Sequence, residues 1–280
     1  MKRYFVKILT FFNLEAVVSE KLDYLKLFIL QNCLRVFDNI VVAQNKNVKS
    51  IPIIIISFNQ LFFLKQLIDF LRQNGYSNIV IIDNNSDYPP LLDYFNEIQD
   101  VVTLHLLDKN FGHLVFWKNK EMFERYSKGY YVITDPDIVP NLNCPNDFLK
   151  EFKMKLDKNL KITKVGFSLK INDIPDSNIN KDKILNWESK FYQNKDDEGD
   201  FIAEIDTTFA IYRPRYNYKI KNFFVAVRMK TPYVAKHGGW YVDYRKLTDE
   251  QQYYFKCCNS SSSWRIDENG KLKDNLYTSC

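Results

Sequence analysis

The feature that most restricts how this chain can fold is the run Ile51-Pro52-Ile53-Ile54-Ile55-Ile56, which has no polar side chain. Consecutive β-branched residues of this kind leave no face for water, so the segment reads as a strand covered on both sides, as in a parallel sheet. Parallel strands need a crossover, and the next residues supply one. Asn59 is a candidate cap for a helix whose apolar positions Leu61, Leu64, Leu67, Ile68 and Leu71 share a face, with Gly75 just past its end. Ile79 to Ile82 repeats the strand pattern, so residues 51 to 82 read as one strand-helix-strand unit.

The alternation continues with a short helix opened by Pro90, a strand over Val101 to Leu107, a helix over Leu114 to Ser127 and a strand over Tyr130 to Thr134. Strand and helix taking turns predict an α/β fold with a mostly parallel, Rossmann-like sheet flanked by helices. Beyond Pro140 the pattern becomes mixed α and β. Helices are expected near Phe148 to Met154 and Ile184 to Phe191, and strands near Val165 to Lys170, Phe201 to Tyr212 and Phe223 to Arg228. Upstream, Leu22, Leu25, Phe28, Ile29, Cys33, Val36 and Phe37 recur at helical spacing and end in the polar stretch Gln44-Asn45-Lys46-Asn47, which reads as a linker. The expected organisation is a helical extension over residues 1–50, a main domain over 51–245 divided near residue 140, and a tail over 246–280 containing the run Ser260 to Ser263.

Hydrophobic residues make up 46% of the chain, enough to bury a core of ordinary domain size. Its 39 basic and 34 acidic residues, net +5, are too balanced and scattered to point to nucleic acid. An anionic small substrate or an anionic membrane surface remains compatible. Five cysteines without a Cys-x-x-Cys specify neither a disulfide framework nor a zinc site, and a cytoplasmic, reducing setting is expected. No segment approaches the roughly 18 uninterrupted apolar residues of a spanning helix.

Ligands of open parallel sheets bind beyond the carboxyl ends of the strands, so the residues there are where chemistry is expected. Three ends are polar: Ser57-Phe58-Asn59, Asp83-Asn84-Asn85-Ser86 and Thr134-Asp135-Pro136-Asp137. The last is the sharpest signal. Pro136 biases Asp135 towards extended backbone, and residues two apart in extended chain point the same way, so both carboxylates can meet one hard cation such as Mn2+ or Mg2+. The alternative is an Asp-Pro turn that binds nothing. Neither a Gly-x-Gly-x-x-Gly nor a Gly-Lys-Ser/Thr loop follows the first strand, so a phosphate-bearing substrate would need the cation to neutralise its charge.

This ordered set resembles the nucleotide-sugar glycosyltransferases of the GT-A fold, in particular the inverting family two, over about residues 51 to 240. The resemblance implies transfer of a sugar from a nucleoside-diphosphate sugar to a glycan or lipid-linked acceptor, with surface polysaccharide synthesis as the setting. It assigns residues 51–140 to the donor and 141–245 to the acceptor. Ser57, Phe58, Asn59 and Asp83 are then expected at the base and ribose, and Asp135 and Asp137 at the metal and diphosphate. Asp83 also suits an exposed turn, and Phe58 also suits core packing. Asn110-Phe111-Gly112-His113 is similar to the family's loop before the next helix, where Gly112 permits close approach to the donor; His113 equally suits a helix start. His237, in His237-Gly238-Gly239-Trp240, stands where many such enzymes supply a late histidine to the metal, or else sits in a surface turn.

A base for the acceptor hydroxyl needs a carboxylate away from the metal. Asp206 is the first choice, as an acid within an otherwise apolar strand, with a structural role as its alternative. Glu188 and Asp173 are reserves. A sugar nucleotidyltransferase and a non-catalytic carbohydrate-binding protein are the competing functions. Finally, Lys2, Arg3 and Lys7 interleave with Tyr4, Phe5, Ile8, Leu9, Phe11 and Phe12, so residues 1–50 are expected to rest on the inner face of a membrane or on a partner; packing of the helix on the main domain is the alternative.

Overall fold

The computed structural model describes residues 15–216, 224–258, 265–267 and 273, with side chains from Lys21 onward apart from Asp23. The segment from Met1 to Phe12 and the run Ser260 to Ser263 lie outside the described residues.

The expected central strand is β1 (Ile53–Ser57), followed by helix α3 (Phe62–Gln73) and β2 (Ile79–Asp83). Among the described residues, the α-helices α1 (Glu15–Phe37) and α2 (Asn39–Lys46) precede it. After β2 come α4 (Pro89–Ile98), β3 (Thr103–Leu106), α5 (Val115–Lys118), α6 (Lys120–Tyr126), β4 (Tyr131–Thr134) and β5 (Ile138–Pro140). The second half holds α7 (Phe148–Lys158), β6 (Lys164–Leu169), α8 (Lys181–Ser189), β7 (Phe201–Ile202), β8 (Ala210–Tyr212), β9 (Ala226–His237) and α9 (Asp249–Cys257).

One sheet runs in the order β3-β2-β1-β4-β8-β6-β9-β5, with β7 paired to β9. Pairings β1–β2, β2–β3, β1–β4 and β6–β9 are parallel; β4–β8, β6–β8, β5–β9 and β7–β9 are antiparallel. This is the mostly parallel sheet flanked by helices that the alternation predicts. Every residue of β1, β2 and β4 is buried. On one face Ile53, Ile55, Ile79 and Ile81 pack with Leu64, Leu67, Leu91 and Phe148 from helices α3, α4 and α7. On the other, Ile54, Ile56, Val80 and Ile82 pack with Phe116, Trp117, Met122, Tyr131 and Tyr212. Alternate isoleucines thus feed two cores, which is why the run carries no polar position.

Local departures from expectation have local causes. The helix expected over 114–127 breaks at Asn119, whose side chain caps α6 by accepting the Met122 N–H at 3.2 Å. The polar stretch after α1 is not a linker: Gln44 is buried and clasps Tyr130, donating to its carbonyl at 2.9 Å and accepting its N–H at 2.7 Å. The strand expected over 201–212 is two short strands joined by a loop. Asp206 therefore lies in an exposed loop position and not in an apolar strand.

The C-terminal half of the extension is fixed to the main domain, with Val41 buried and Arg35 paired to Asp157 at 2.8 Å. Leu22, Leu25, Phe28, Ile29 and Leu30 of α1 are about half exposed. No helix among the described residues is long and apolar enough to cross a membrane.

Candidate functional site

The chain winds outward from β1 to β3 on one side, then crosses to β4 on the other, so the sheet reverses direction of growth between β1 and β4. The crevice at such a switch, beyond the carboxyl ends, is where open α/β sheets take ligands. Ser57 ends β1 and pairs in register with Asp83 at the end of β2, while Asp135 follows β4.

Asp83 is buried, not in a solvent-exposed turn. Its carboxylate accepts the Ser86 N–H at 2.7 Å and the Ser86 hydroxyl at 2.6 Å, and burial pushes its pKa up. Asn59 does not cap α3. Its backbone is left-handed (φ 47°), and its side chain reaches across to the β2 loop, accepting N–H groups from Asp87 at 2.9 Å and Tyr88 at 3.0 Å and donating to the Asp87 carboxylate at 2.8 Å. A residue that bridges two loops cannot serve its own helix, and Leu61 occupies the cap position without a side-chain bond. Phe58 is half-buried beside these contacts.

Asn84, in the polar stretch after β2, ties in the next loop. It donates to the Gly112 carbonyl at 3.3 Å and accepts the Phe111 N–H at 3.2 Å, while Asn110 accepts the Gly112 N–H at 2.9 Å. Gly112 has φ 80°, a conformation that favours glycine. His113 is half-buried in the turn that leads into α5.

Asp135-Pro136-Asp137 is a turn between β4 and β5 and not a continuation of extended strand. The two acids nevertheless act on each other. Burial, then Asp137 and Asp206 nearby, push the Asp135 carboxyl up to about 8, against one hydrogen bond from Thr207 at 2.8 Å. Asp137 faces His237, whose Nδ1 lies 3.3 Å from its Oδ2; the same oxygen accepts the Gly239 N–H at 2.9 Å. Ile138 pairs with His237 in the sheet, and the Gly238 N–H bonds the Asp137 carbonyl at 2.8 Å, so β9 delivers the histidine to the acid. A Cβ on Gly238 would lie 2.3 Å from the Phe63 ring, which explains glycine there. His237 also stacks on Trp240 at 4.8 Å.

The reserve bases have other tasks. Glu188 is buried in an ion pair with Arg228. Asp173 is held by Lys170 at 2.7 Å and by the Tyr241 hydroxyl, which keep its pKa low. Asp206 is exposed, and its backbone carbonyl receives Lys164 Nζ and the Tyr212 hydroxyl, each at 3.4 Å. Lys164 is fully buried, and burial lowers its pKa to about 7.

Among the described residues, no three His, Cys, Asp or Glu side chains stand close enough to enclose an ion unaided. The donor chemistry still suits a hard divalent cation: Asp137 lies against His237, and burial together with the charge of Asp137 raises the Asp135 carboxyl, a cost that a cation relieves.

No protein-family model matches the sequence, and no curated protein does. Solved structures match at low identity and low TM-score. The mannosyltransferase PcManGT from Pyrobaculum calidifontis, in complex with GDP-Man and Mn2+, is 13% identical with a TM-score of 0.43, covering 67% of this chain and 56% of that one. S. aureus TarS 1-349 in complex with UDP-GlcNAc is 13% identical with a TM-score of 0.41, covering 66% and 58%. A Bacillus anthracis protein named as a glucose-1-phosphate thymidylyltransferase, in complex with a sucrose, is 11% identical with a TM-score of 0.36, covering 59% and 72%. The match thus spans little more than half the length of the first two.

Proposed function

We propose that this chain is a metal-dependent glycosyltransferase that moves a sugar from a nucleoside-diphosphate sugar to a glycan or lipid-linked acceptor. The observation that supports this most is the pair Asp135 and Asp137 beyond β4 at the switch point, with His237 against Asp137, and a buried carboxylate, Asp83, at the end of β2 in loops tied together by Asn59 and Asn84. Acids that repel one another next to a crevice suit a cation bound with an anionic substrate.

In this reading Asp135, Asp137 and His237 would hold Mn2+ or Mg2+, which when bound neutralises charge building on the departing diphosphate. Ser57, Phe58, Asn59 and Asp83 orient the nucleoside, with Asn110, Gly112 and His113 on the adjoining wall. Asp206 takes the proton from the acceptor hydroxyl; its exposure leaves it open to an acceptor. The connection Ser57-Phe58-Asn59-Gln60 lacks the glycine-rich loop of a sugar nucleotidyltransferase.

The exposed apolar residues of α1 support a peripheral seat on a membrane for the N-terminal extension, compatible with a lipid-linked acceptor, surface polysaccharide synthesis and a position on the inner face of the membrane. Incubating the full chain with a panel of nucleotide sugars and measuring free nucleoside diphosphate tests the proposal. Release from one donor in the presence of Mn2+ supports it, and no release from any donor with any acceptor counts against it.

A further inference from the structure

We infer that the C-terminal helix α9 completes the base end of the donor site, with Tyr254 and Phe58 presenting the aromatic surface against which the nucleobase rests. This deepens the glycosyltransferase reading and depends on its donor assignment.

The sequence gives no hint that residues after 246 belong to the site. In the structure Thr248 and Gln251 form a reciprocal capping box that starts α9, so the segment is a defined helix. It is seated on the two loops that leave β1 and β2. The Glu250 carboxylate accepts the Phe62 N–H at 3.0 and 3.2 Å and also bonds the Leu61 backbone, supplying from another part of the chain the cap that α3 lacks. Tyr253 packs on the Tyr88 ring at 5.1 Å and donates its hydroxyl to the Asp87 carbonyl at 3.2 Å. Tyr254 meets Phe58 edge-on at 6.4 Å and is braced by Phe255 at 5.8 Å.

The contacts that α9 makes across to Phe58, Phe62, Asp87 and Tyr88 fall on the segments that Asn59 interlocks, which flank buried Asp83. Phe58 and Tyr254 are both only partly buried with α9 seated. A planar, uncharged group with a hydrogen-bonding edge is what two aromatic rings beside a carboxylate recognise, and a nucleobase has that chemistry.

The test is calorimetric titration of the full chain, in Mn2+, with UDP, GDP, ADP, CDP and dTDP. Wild type is expected to bind at least one. Tyr254→Ala, or Tyr254→Leu, which fills the space without an aromatic face, should weaken that nucleotide by about tenfold, while Tyr254→Phe keeps wild-type affinity. Unchanged affinity in the Ala and Leu variants overturns the inference, as does equal weakening in Tyr254→Phe. Tighter binding in Tyr254→Ala also overturns it, because α9 would then be covering the site. If wild type binds none of the five, the donor reading itself falls.

Discussion

Asp137 Oδ2 sits 3.3 Å from His237 Nδ1 and accepts the Gly239 N–H at 2.9 Å, so one oxygen of the acid is already committed to the strand that brings the histidine. That arrangement fixes the carboxylate's direction. His237→Ala is therefore expected to raise the Mn2+ concentration for half-maximal sugar transfer on the order of tenfold while leaving maximal turnover less affected. A metal titration of activity checks this, and an unchanged midpoint would remove His237 from the metal site.

Burial, and then the charge of Asp137, push the Asp135 carboxyl from its ordinary 3.8 up to about 8 in the folded chain. Between those values the folded state holds one proton more than the unfolded state, so stability falls as pH rises from about 4 to about 8. Asp135→Asn removes that cost. In chelator, its unfolding midpoint should exceed wild type by on the order of ten degrees near pH 8, with a smaller gain near pH 5. An equal midpoint at both pH values would contradict the raised carboxyl.

Glu188 and Asp206 should separate cleanly. Removing the partner of a buried guanidinium is costly, so Glu188→Ala is expected to lose about 3 kcal/mol in denaturant unfolding while the folded fraction still turns over. Asp206→Asn should leave stability unchanged and donor binding intact but slow transfer by about 100-fold or more. The reverse pattern would make Glu188 the base.

How far the sequence alone could go follows from the range of the forces involved. Ile51 to Ile56 and Ile79 to Ile82 announced a two-faced parallel sheet because burial on both sides leaves a local signature. Gly75 likewise ends α3, with Gly75 and Tyr76 N–H groups closing on Arg72 and Leu71. Asn59 misled because a capping residue and a loop bridge are the same side chain; which partner it takes depends on Asp87 and Tyr88, far along the chain. The strand expected over Phe201 to Tyr212 misled because its apolar residues look continuous; in the structure two short strands are joined by a loop in which Thr207 bonds Asp135. Lys164 and Glu250 left no local trace. Each matters only through residues that the fold brings to it.

The most direct test of the central claim compares wild type with Asp137→Asn in the same assay, following nucleoside diphosphate release from the preferred nucleotide sugar with Mn2+ and with chelator. Asp137 has its fold contacts through its backbone carbonyl and one oxygen, so the variant is expected to fold. The account predicts Mn2+-dependent release by wild type and a loss of about 100-fold or more in Asp137→Asn, with both proteins melting at similar temperatures. Release by Asp137→Asn at the wild-type rate, or equal release by wild type in chelator, would contradict it.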